Sequence, residues 1–250
     1  MSVINISPES FFSGSYVPAE RMLNTVSIMK DQGADLIDIG ARSTAPGSQQ
    51  ISIHEEKERI VSTLKSIEGS DTTISIDTMY PEVVTSALKY DIHAVNDISG
   101  LVNPDMAAVI SDSGLSTILM ATNQIPGDCI NFEETISSLQ KVIHRAEDAE
   151  IDQIILDPAI GRWIPERTPD ADFEICRRFE ELQMFDRPLL AAVSRKSFIG
   201  SVTGREPEQR LAGTLGVTAS LILSGASMIR CHDVAETADV VKVLSSIRSL

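Results

Sequence analysis

A chain of 250 residues with 42% hydrophobic and 23% charged residues can bury the core of one large domain or of two small ones. Its net charge of −15 argues against broad binding to nucleic acid or to an anionic membrane, although it permits a local basic pocket. The three cysteines share no CxxC spacing, and we find neither a signal peptide nor an apolar run of about 18 residues. We therefore expect a cytoplasmic, non-membrane protein with reduced, inert thiols.

Short β-rich runs alternate with helix-like segments along the whole chain. The predicted strands are VINI (3–6), LIDIG (36–40), TISID (73–77), HAVND (93–97), STILMA (116–121), QIILD (153–157), LLAAVS (189–194) and SMIRC (227–231). The helix-like segments cover 19–32, 54–67, 80–90, 104–113, 132–148, 170–182, 207–224 and 233–248. Continuous apolar strands indicate a parallel sheet that helices cover on both faces. Eight strand–helix units predict an α/β fold, a single-domain (β/α)8 TIM barrel over residues 1–250. The doubly wound alternative lacks a GxGxxG after the first strand.

Polar residues close the predicted strands on their carboxyl-terminal side. In a barrel such residues face a common mouth, where barrel enzymes hold their sites. They are Asn5, Asp38, Asp77, Asn96, Asp97, Asp157, Arg195, Lys196, Arg230 and His232. A single strand-ending aspartate is often only a helix cap or a turn former, but capping does not account for the lysine, the arginine at 230 or the histidine. The pattern therefore predicts a ligand site at the mouth.

One subset of this rim mixes hydrogen-bond acceptors with a donor, and it consists of Asp77, Asn96, Asp157 and Lys196. A buried carboxylate can accept two parallel N–H bonds, as it does from arginine. The 2-amino-4-oxo edge of guanine or of a pterin presents such a fork, together with a carbonyl to which a lysine can donate. We therefore expect these four residues to bind a heterocycle of this kind.

A second subset has the chemistry of a phosphate site. Arg230 and His232 alternate on the last predicted strand, so both should point to the same side and could bind a pyrophosphate. The alternative is that Arg230 pairs with Asp233 or another rim carboxylate while His232 caps the final helix. In INISPESF (4–11), the amide carbonyl of Asn5 is a hard ligand that can share Mg²⁺ with phosphate oxygens, unless Asn5 only bonds its own backbone.

Eight short motifs resemble, in the same order, those of the dihydropteroate synthase family of pterin-binding barrels. They are NISPESF, GARSTAPG (40–47), SIDT (75–78), NDISG (96–100), ILDPAIG (155–161), SRKSFIG (194–200), GTLG (213–216) and RCHDV (230–234), and they cover nearly the whole chain. The resemblance implies a (β/α)8 enzyme, usually a homodimer, that joins 6-hydroxymethyl-7,8-dihydropterin diphosphate to the amine of p-aminobenzoate. Pyrophosphate is released in a Mg²⁺-assisted step.

Matched position by position, the resemblance assigns the pterin pocket to Asp77, Asn96, Asp157 and Lys196, and the Mg²⁺–pyrophosphate site to Asn5, Arg230 and His232. It places Ser43 and Thr44 in a second mobile loop and Ser197 near the aminobenzoate, while Arg195 is expected to brace the turn after the seventh strand. Charge neutralisation at the leaving pyrophosphate, and carboxylate stabilisation of the methylene cation by Asp77 and Asp157, would drive the reaction. The residues expected to act in catalysis are Asn5, Asp77, Lys196, Arg230 and His232.

The chain departs from the family pattern on the acceptor side. Where bacterial members usually have GGESTRPG, this chain has Arg42 at the glutamate position and Ala45 at the arginine position, and whether Arg42 replaces that arginine is open. AIGRW (159–163) replaces a GFGF-like run and brings Trp163, the only tryptophan, to the acceptor side, unless it merely packs a loop. The pattern resembles archaeal relatives, and some archaeal pathways use a ribosylated aminobenzene phosphate as the acceptor.

Two other functions are compatible with a pterin-binding barrel. A pterin-dependent methyltransferase of the methyltetrahydrofolate:corrinoid type shares the fold and several pterin contacts. Because such an enzyme binds no pyrophosphate, Asn5, SRKS (194–197) and RCHD (230–233) together disfavour it. A catalytically silent pterin-binding protein would explain the altered second loop, but it would not need Asn5, Arg230 or His232.

Overall fold

The computed structural model describes residues 1–7, 17–42 and 51–248, and strands alternate with helices throughout these ranges. The strands are β1 (Ser2–Asn5), β2 (Ile37–Gly40), β3 (Ile74–Asp77), β4 (Ala94–Asp97), β5 (Ser116–Met120), β6 (Ile154–Asp157), β7 (Leu190–Ala191) and β8 (Met228–Ile229). The helices are α1 (Met22–Asp31), α2 (Ile53–Ser66), α3 (Pro81–Ala87), α4 (Pro104–Ser113), α5 (Phe132–Asp148), α6 (Pro169–Arg177), α7 (Ser197–Thr203), α8 (Leu211–Leu223) and α9 (Val234–Arg248).

The eight strands close into a parallel barrel. β1 to β6 pair in chain order within one sheet, and β7 pairs with β8. Parallel bridges between Ser2 and Cys231 and between Leu156 and Leu189 join β8 to β1 and β6 to β7. The predicted (β/α)8 barrel is therefore confirmed, and the carboxyl ends of all eight strands open at one mouth.

Local chemistry accounts for where helices begin and end, as α4 illustrates. The side chain of Asn103 accepts a hydrogen bond from the backbone N–H of Asp105, and Pro104 occupies the first turn, where no N–H is needed. Gly114 ends the helix with a φ of 66°, a left-handed conformation that glycine adopts at little cost.

The structure departs from the predicted elements after β6. The helix predicted over 170–182 is divided into α6 and a 3₁₀ segment, Phe179–Phe185, and the helix predicted over 207–224 begins only at Leu211. α7 was not predicted, because a helix of seven residues depends on tertiary packing, here the burial of Phe198 and Ile199. β7 and β8 are each two residues long, so the expectation that Arg230 and His232 lie on the last strand is wrong, and both follow β8.

The three cysteines are free thiols in the structure. Burial raises the pKa of Cys129 and Cys231 and raises that of Cys176 to about 12, so the protonated and unreactive form predominates in all three. Within the described ranges, no helix has both the length and the apolar character that crossing a membrane requires.

Candidate active site

The four residues predicted to bind a pterin are brought to the mouth of the barrel. Asp77 and Asp157 end β3 and β6, and Asn96 is the third residue of β4, in register with Asp77. Lys196 lies at the amino end of α7, and its Nζ donates to the backbone carbonyl of Ile160, which follows β6. The charge of Asp157 acts on Lys196 and favours its ammonium form.

A network of polar side chains connects residues of this mouth to Asp38 inside the barrel. Asp38 Oδ2 accepts from Asn96 Nδ2 at 3.0 Å and from Arg230 Nε at 2.8 Å, while Arg230 Nη2 lies 2.7 Å from Asp77 Oδ2. Asp38 is fully buried, because it is the second residue of β2 and lies inside the barrel rather than at its end. Asp38 was predicted as a rim residue without an assigned role, and in the structure it is the centre of this network.

Burial changes the protonation of the site. It raises the pKa of Asp77 to about 7, with Arg230 opposing and Asp38 reinforcing the shift. It raises the pKa of Asp157, against the charge of Lys196 and a hydrogen bond from Ala159 N. Burial also lowers the pKa of Lys196. A low-dielectric site therefore holds three carboxylates (Asp38, Asp77 and Asp157) and two cations (Lys196 and Arg230) close to one another, an arrangement typical of functional sites.

Two oxygens in this network lack hydrogen-bond partners within the described part of the chain. They are Asn96 Oδ1 and Asp38 Oδ1, and both are buried. The other polar atoms of the same two side chains, Asn96 Nδ2 and Asp38 Oδ2, are hydrogen-bonded to each other. Buried polar atoms are normally satisfied, so these two oxygens retain the capacity to accept further hydrogen bonds. The pterin pocket expected from the sequence stays a prediction, with which the Asn96 oxygen is compatible.

Arg230 forms ion pairs with carboxylates of the rim, as the alternative interpretation of the sequence anticipated. Its partners are Asp38 and Asp77 rather than Asp233. Burial by itself would lower the pKa of Arg230, but the two carboxylates outweigh burial and raise it. Binding of pyrophosphate by Arg230 therefore stays a prediction, and it requires the guanidinium to be shared between these carboxylates and the phosphate.

His232 is held by Ser194 from the end of β7. The backbone N–H of His232 donates to Ser194 Oγ at 3.2 Å, and its Nδ1 lies 2.9 Å from the same oxygen. Burial, reinforced by the charge of Arg230, lowers the pKa of His232 to about 4, so the imidazole is neutral at pH 7. Because Ser194 Oγ already accepts from the backbone, its proton can bond Nδ1, and the neutral imidazole then carries its own proton on Nε2.

Arg195 braces the loop after β7, as predicted. Its Nε and Nη2 bind the two carboxylate oxygens of Asp233 at 2.9 and 2.6 Å, and its Nη1 donates to the carbonyls of Pro207 and Glu208 at 2.8 Å. Its φ of 58° is left-handed, and Thr214 Oγ1 accepts from its backbone N–H. The neighbouring cations therefore differ in role, with Arg195 in the scaffold and Lys196 at the mouth.

We expect Arg195→Ala to destabilise the fold by about 3 kcal/mol, since it breaks a buried bidentate ion pair. For a chain of this size the Tm should fall by roughly 6–12 °C. Pterin affinity should change less than about twofold. Lys196→Ala should show the opposite pattern, with pterin affinity lowered about ten- to a hundredfold and a smaller change in Tm. Thermal denaturation and calorimetric titration of both variants check this, and equal pterin affinities would contradict it.

The acceptor-side residues are only partly described. Ser43 and Thr44 lie outside the described residues. Ser197 is exposed at the start of α7. Trp163 packs against Gly127, where a Cβ would lie 2.2 Å from the indole Cγ, and Lys196 Nζ is 5.3 Å from the centre of the indole. Trp163 therefore packs a loop and also borders the predicted pterin lysine, while its contact with an acceptor stays a prediction.

Arg42 is engaged with the outer helices. Its Nε lies 2.6 Å from Glu56 Oε2 of α2, and its guanidinium is 4.9 Å from the ring centre of Tyr80. Both charged side chains are nearly fully buried, and Glu56 Oε1 also accepts from Thr78 Oγ1 at 2.6 Å. This anchoring does not support a role for Arg42 in place of the arginine missing at Ala45.

Asp97, in contrast, has the structural role that strand-ending aspartates often have. Its Oδ1 accepts from the backbone N–H and hydroxyl of Ser99, and its Oδ2 accepts from the backbone N–H of Leu101. The carboxylate thereby orders the turn after β4. Neighbouring residues of one motif, Asn96 and Asp97, thus serve the site and the scaffold respectively.

Comparison with known proteins agrees with this geometry. The pterin-binding enzyme family matches residues 1–232. The dihydropteroate synthase of Synechocystis is 34% identical over 99% of this chain and 89% of its own. A Coxiella burnetii dihydropteroate synthase in complex with pteroic acid is 31% identical and superposes with a TM-score of 0.89, covering 100% of this chain and 92% of its own. A Xanthomonas albilineans dihydropteroate synthase with 4-aminobenzoic acid is 30% identical, with a TM-score of 0.89 over 100% and 93% of the chains. The relatives named here are bacterial, and the archaeal affinity stays a prediction. This chain belongs to the pterin-binding enzyme family and is a transferase of the dihydropteroate synthase type.

Proposed function

We propose that this enzyme joins 6-hydroxymethyl-7,8-dihydropterin diphosphate to p-aminobenzoate and releases pyrophosphate. The observation that carries the proposal is the buried, unsatisfied Asn96 Oδ1 among the described residues, in a mouth that also contains Asp157 and Lys196. The related structures with pteroic acid and with 4-aminobenzoic acid support both halves of the substrate assignment.

Pterin recognition follows from the donor and acceptor pattern. The carboxylate of Asp157 and the amide oxygen of Asn96 accept N–H groups of the aminopyrimidine ring, while Lys196 donates to its carbonyl oxygen. Burial strengthens each of these bonds, because water cannot compete for the same groups. The same burial penalises a ligand that lacks them, which provides selectivity for the pterin edge.

Departure of pyrophosphate requires that its charge be neutralised. Arg230 supplies a guanidinium fork, and the neutral His232 supplies one N–H donor. The C–O bond breaks with its electron pair on the pyrophosphate, and the carboxylates of Asp77 and Asp157 stabilise the positive charge that develops on the methylene carbon. The amine nitrogen of p-aminobenzoate then bonds that carbon and loses a proton. No covalent bond to the protein is needed.

The residues at the end of β1 fit a magnesium ion that is held mainly by substrate. A Cβ placed at Gly40 would lie 3.5 Å from both Asn5 Oδ1 and Asp77 Oδ2, so these two hard oxygens border the same glycine. The described residues contain no group of three or more His, Cys, Asp or Glu that could hold a metal. Mg²⁺ commonly keeps one or two protein oxygens and takes the rest from phosphates and water. When bound, it would neutralise charge on the leaving diphosphate.

A pyrophosphate-release assay tests the proposed function. With the pterin diphosphate as donor, release should require p-aminobenzoate, and one condensed product should form for each pyrophosphate. A ribosylated aminobenzene phosphate, supplied in a parallel reaction, tests the alternative acceptor. Release with that amine alone would reassign the acceptor, and pterin binding without release with either amine would identify a silent binding protein.

We also propose that the chain forms a homodimer through α8. This helix has no charged residue, and Gly216 and Leu223 are exposed on it. The adjoining helices expose Val202 on α7 and Ile247 on α9, which are 69% and 71% accessible. Monomeric proteins rarely leave large apolar surfaces uncovered, which supports a second copy as the partner.

The three free thiols support a reducing compartment such as the cytoplasm.

Gly216→Glu should convert the dimer to a monomer. A Cβ at this position meets no atom of another described segment within 4 Å, so the variant should fold while placing a charge midway along the exposed side of α8. Sedimentation equilibrium measures the change. Ser111→Glu on the exposed side of α4 is the control and should leave the oligomeric state unchanged. A wild-type chain that sediments as a monomer would refute the homodimer.

A further inference from the structure

A fully buried ion pair lies beside the site, outside the residues assigned to either substrate. Arg167 Nε is 2.9 Å from Asp172 Oδ1, and the two side chains are 0% and 1% accessible. Arg167 also donates through Nη1 to the carbonyl of Cys129 at 2.5 Å, so it ties the loop after β5 to α6. A buried ion pair adds little net stability compared with apolar residues of similar size, which suggests that it has another role.

The same carboxylate oxygen also holds a peptide group of the active site. Asp172 Oδ1 accepts from the backbone N–H of Gly161 at 2.8 Å. The carbonyl of that peptide unit belongs to Ile160, and it accepts from Nζ of Lys196. One amide group is therefore bonded to the Asp172 carboxylate at its nitrogen and to the Lys196 ammonium at its oxygen.

The lysine is fitted closely against this peptide. Gly161 has a φ of 131°, and a Cβ there would lie 2.9 Å from Lys196 Cδ and 3.1 Å from its Nζ. The glycine thus lets the aliphatic stem of the lysine run along the backbone. Rotation of the Ile160–Gly161 peptide would move both the acceptor and the surface that fix the ammonium group.

We propose that Arg167 and Asp172 form a positioning pair, which sets the location of Lys196 for pterin binding through the Ile160–Gly161 peptide. Arg167 orients the Asp172 carboxylate, the carboxylate fixes the peptide plane, and the peptide carbonyl holds the ammonium. The inference rests on the proposed pterin-binding function of Lys196. Neither residue of the pair needs to contact substrate.

Two double variants test whether pterin affinity depends on the orientation of the Ile160–Gly161 peptide or only on the presence of buried charges. Arg167→Met/Asp172→Leu leaves no buried charge, so the fold should persist, with a Tm lowered by the loss of hydrogen-bond partners for the Gly161 N–H and the Cys129 carbonyl. Its Kd for 6-hydroxymethylpterin should rise about tenfold. Arg167→Gln/Asp172→Asn removes the charges but keeps an acceptor for the peptide, and its Kd should rise much less. Calorimetry with the free pterin gives these values.

The Lys196→Ala background distinguishes positioning from a general structural effect. If the pair acts through the lysine, Arg167→Met/Asp172→Leu should change the Kd of the Lys196→Ala protein by less than about twofold. A tenfold loss in that background as well would overturn the proposal, as would an unchanged Kd of the folded double variant with Lys196 present.

Should the Met/Leu variant fail to fold, Asp172→Asn carries the test through a pH profile. The charges of Asp157 and Asp172 favour the ammonium form of Lys196, whereas those of Arg230 and Arg167 oppose it. Removing the Asp172 charge therefore lowers the pKa of Lys196 further, and pterin affinity should begin to fall at a lower alkaline pH than in wild type. An unchanged profile would refute the coupling. Wild-type protein that binds no pterin would instead refute the proposed function.

Discussion

Asp157→Asn is expected to weaken pterin binding about ten- to a hundredfold, the effect of losing a charge-assisted hydrogen bond in a buried site. Asp157 is only 5% accessible, and its Oδ1 already accepts from Ala159 N at 2.8 Å. In the asparagine variant, the amide oxygen would keep that backbone bond. The amide nitrogen would then point toward the N–H groups of the ligand, so a repulsive donor would replace an acceptor.

Calorimetric titration with 6-hydroxymethylpterin measures the loss. Asp97→Asn is the matched control, because Asp97 is likewise a buried aspartate at the end of a barrel strand, β4, and its carboxylate accepts from Ser99 and Leu101 in the turn that follows. That variant should lower the Tm and leave the pterin Kd nearly unchanged. Unchanged affinity in Asp157→Asn would remove this residue from the pterin pocket.

Arg230→Ala is expected to lower turnover with the pterin diphosphate by about a hundredfold, a typical result of removing one preorganised donor to a developing anion. Affinity for the free hydroxymethylpterin should fall far less, because that alcohol has no phosphate to lose. Comparison of kcat for the diphosphate with the Kd of the alcohol separates the two effects. If both change alike, Arg230 belongs to the scaffold and the leaving-group mechanism loses its main support.

The same variant should alter the pH dependence. The charge of Arg230 lowers the pKa of Asp77, which burial raises to about 7. Loss of the guanidinium therefore raises that pKa further. If ionised Asp77 stabilises the methylene cation, kcat of the wild type should fall as the pH drops through about 7, and the fall should begin at a higher pH in Arg230→Ala. Arg230→Lys retains the charge and should shift the profile less.

Much of the barrel was predictable because its signals are local. A buried parallel strand needs a continuous apolar run, and each polar residue at its end needs only the strand direction to reach the mouth. For this reason Asp77, Asn96, Asp157 and Lys196 could be grouped before any contact was known. The distinction between Arg195 and Lys196 came from the resemblance to the family, which assigns only Lys196 to the pterin pocket.

Contacts between distant parts of the chain were less accessible. Asp38 and Arg230 are separated by 192 positions, and no local pattern indicates that one carboxylate will bind both Arg230 and Asn96. The pKa of His232 depends on burial and on the charge of Arg230, so its neutral state at pH 7 could not be read from its place in RCHDV. The hydrogen bonds of the Ile160–Gly161 peptide to Asp172 and Lys196 form only when three separate chain segments meet.

The fold class, the order of the strands and the chemical character of the mouth follow from the amino-acid sequence, because hydrophobic period and strand-end chemistry are properties of short segments. Which charges neutralise one another, which oxygens stay unsatisfied and which peptide holds Lys196 become known only from the folded chain. Those outcomes depend on desolvation and on hydrogen-bond geometry, and both arise only when distant segments pack together.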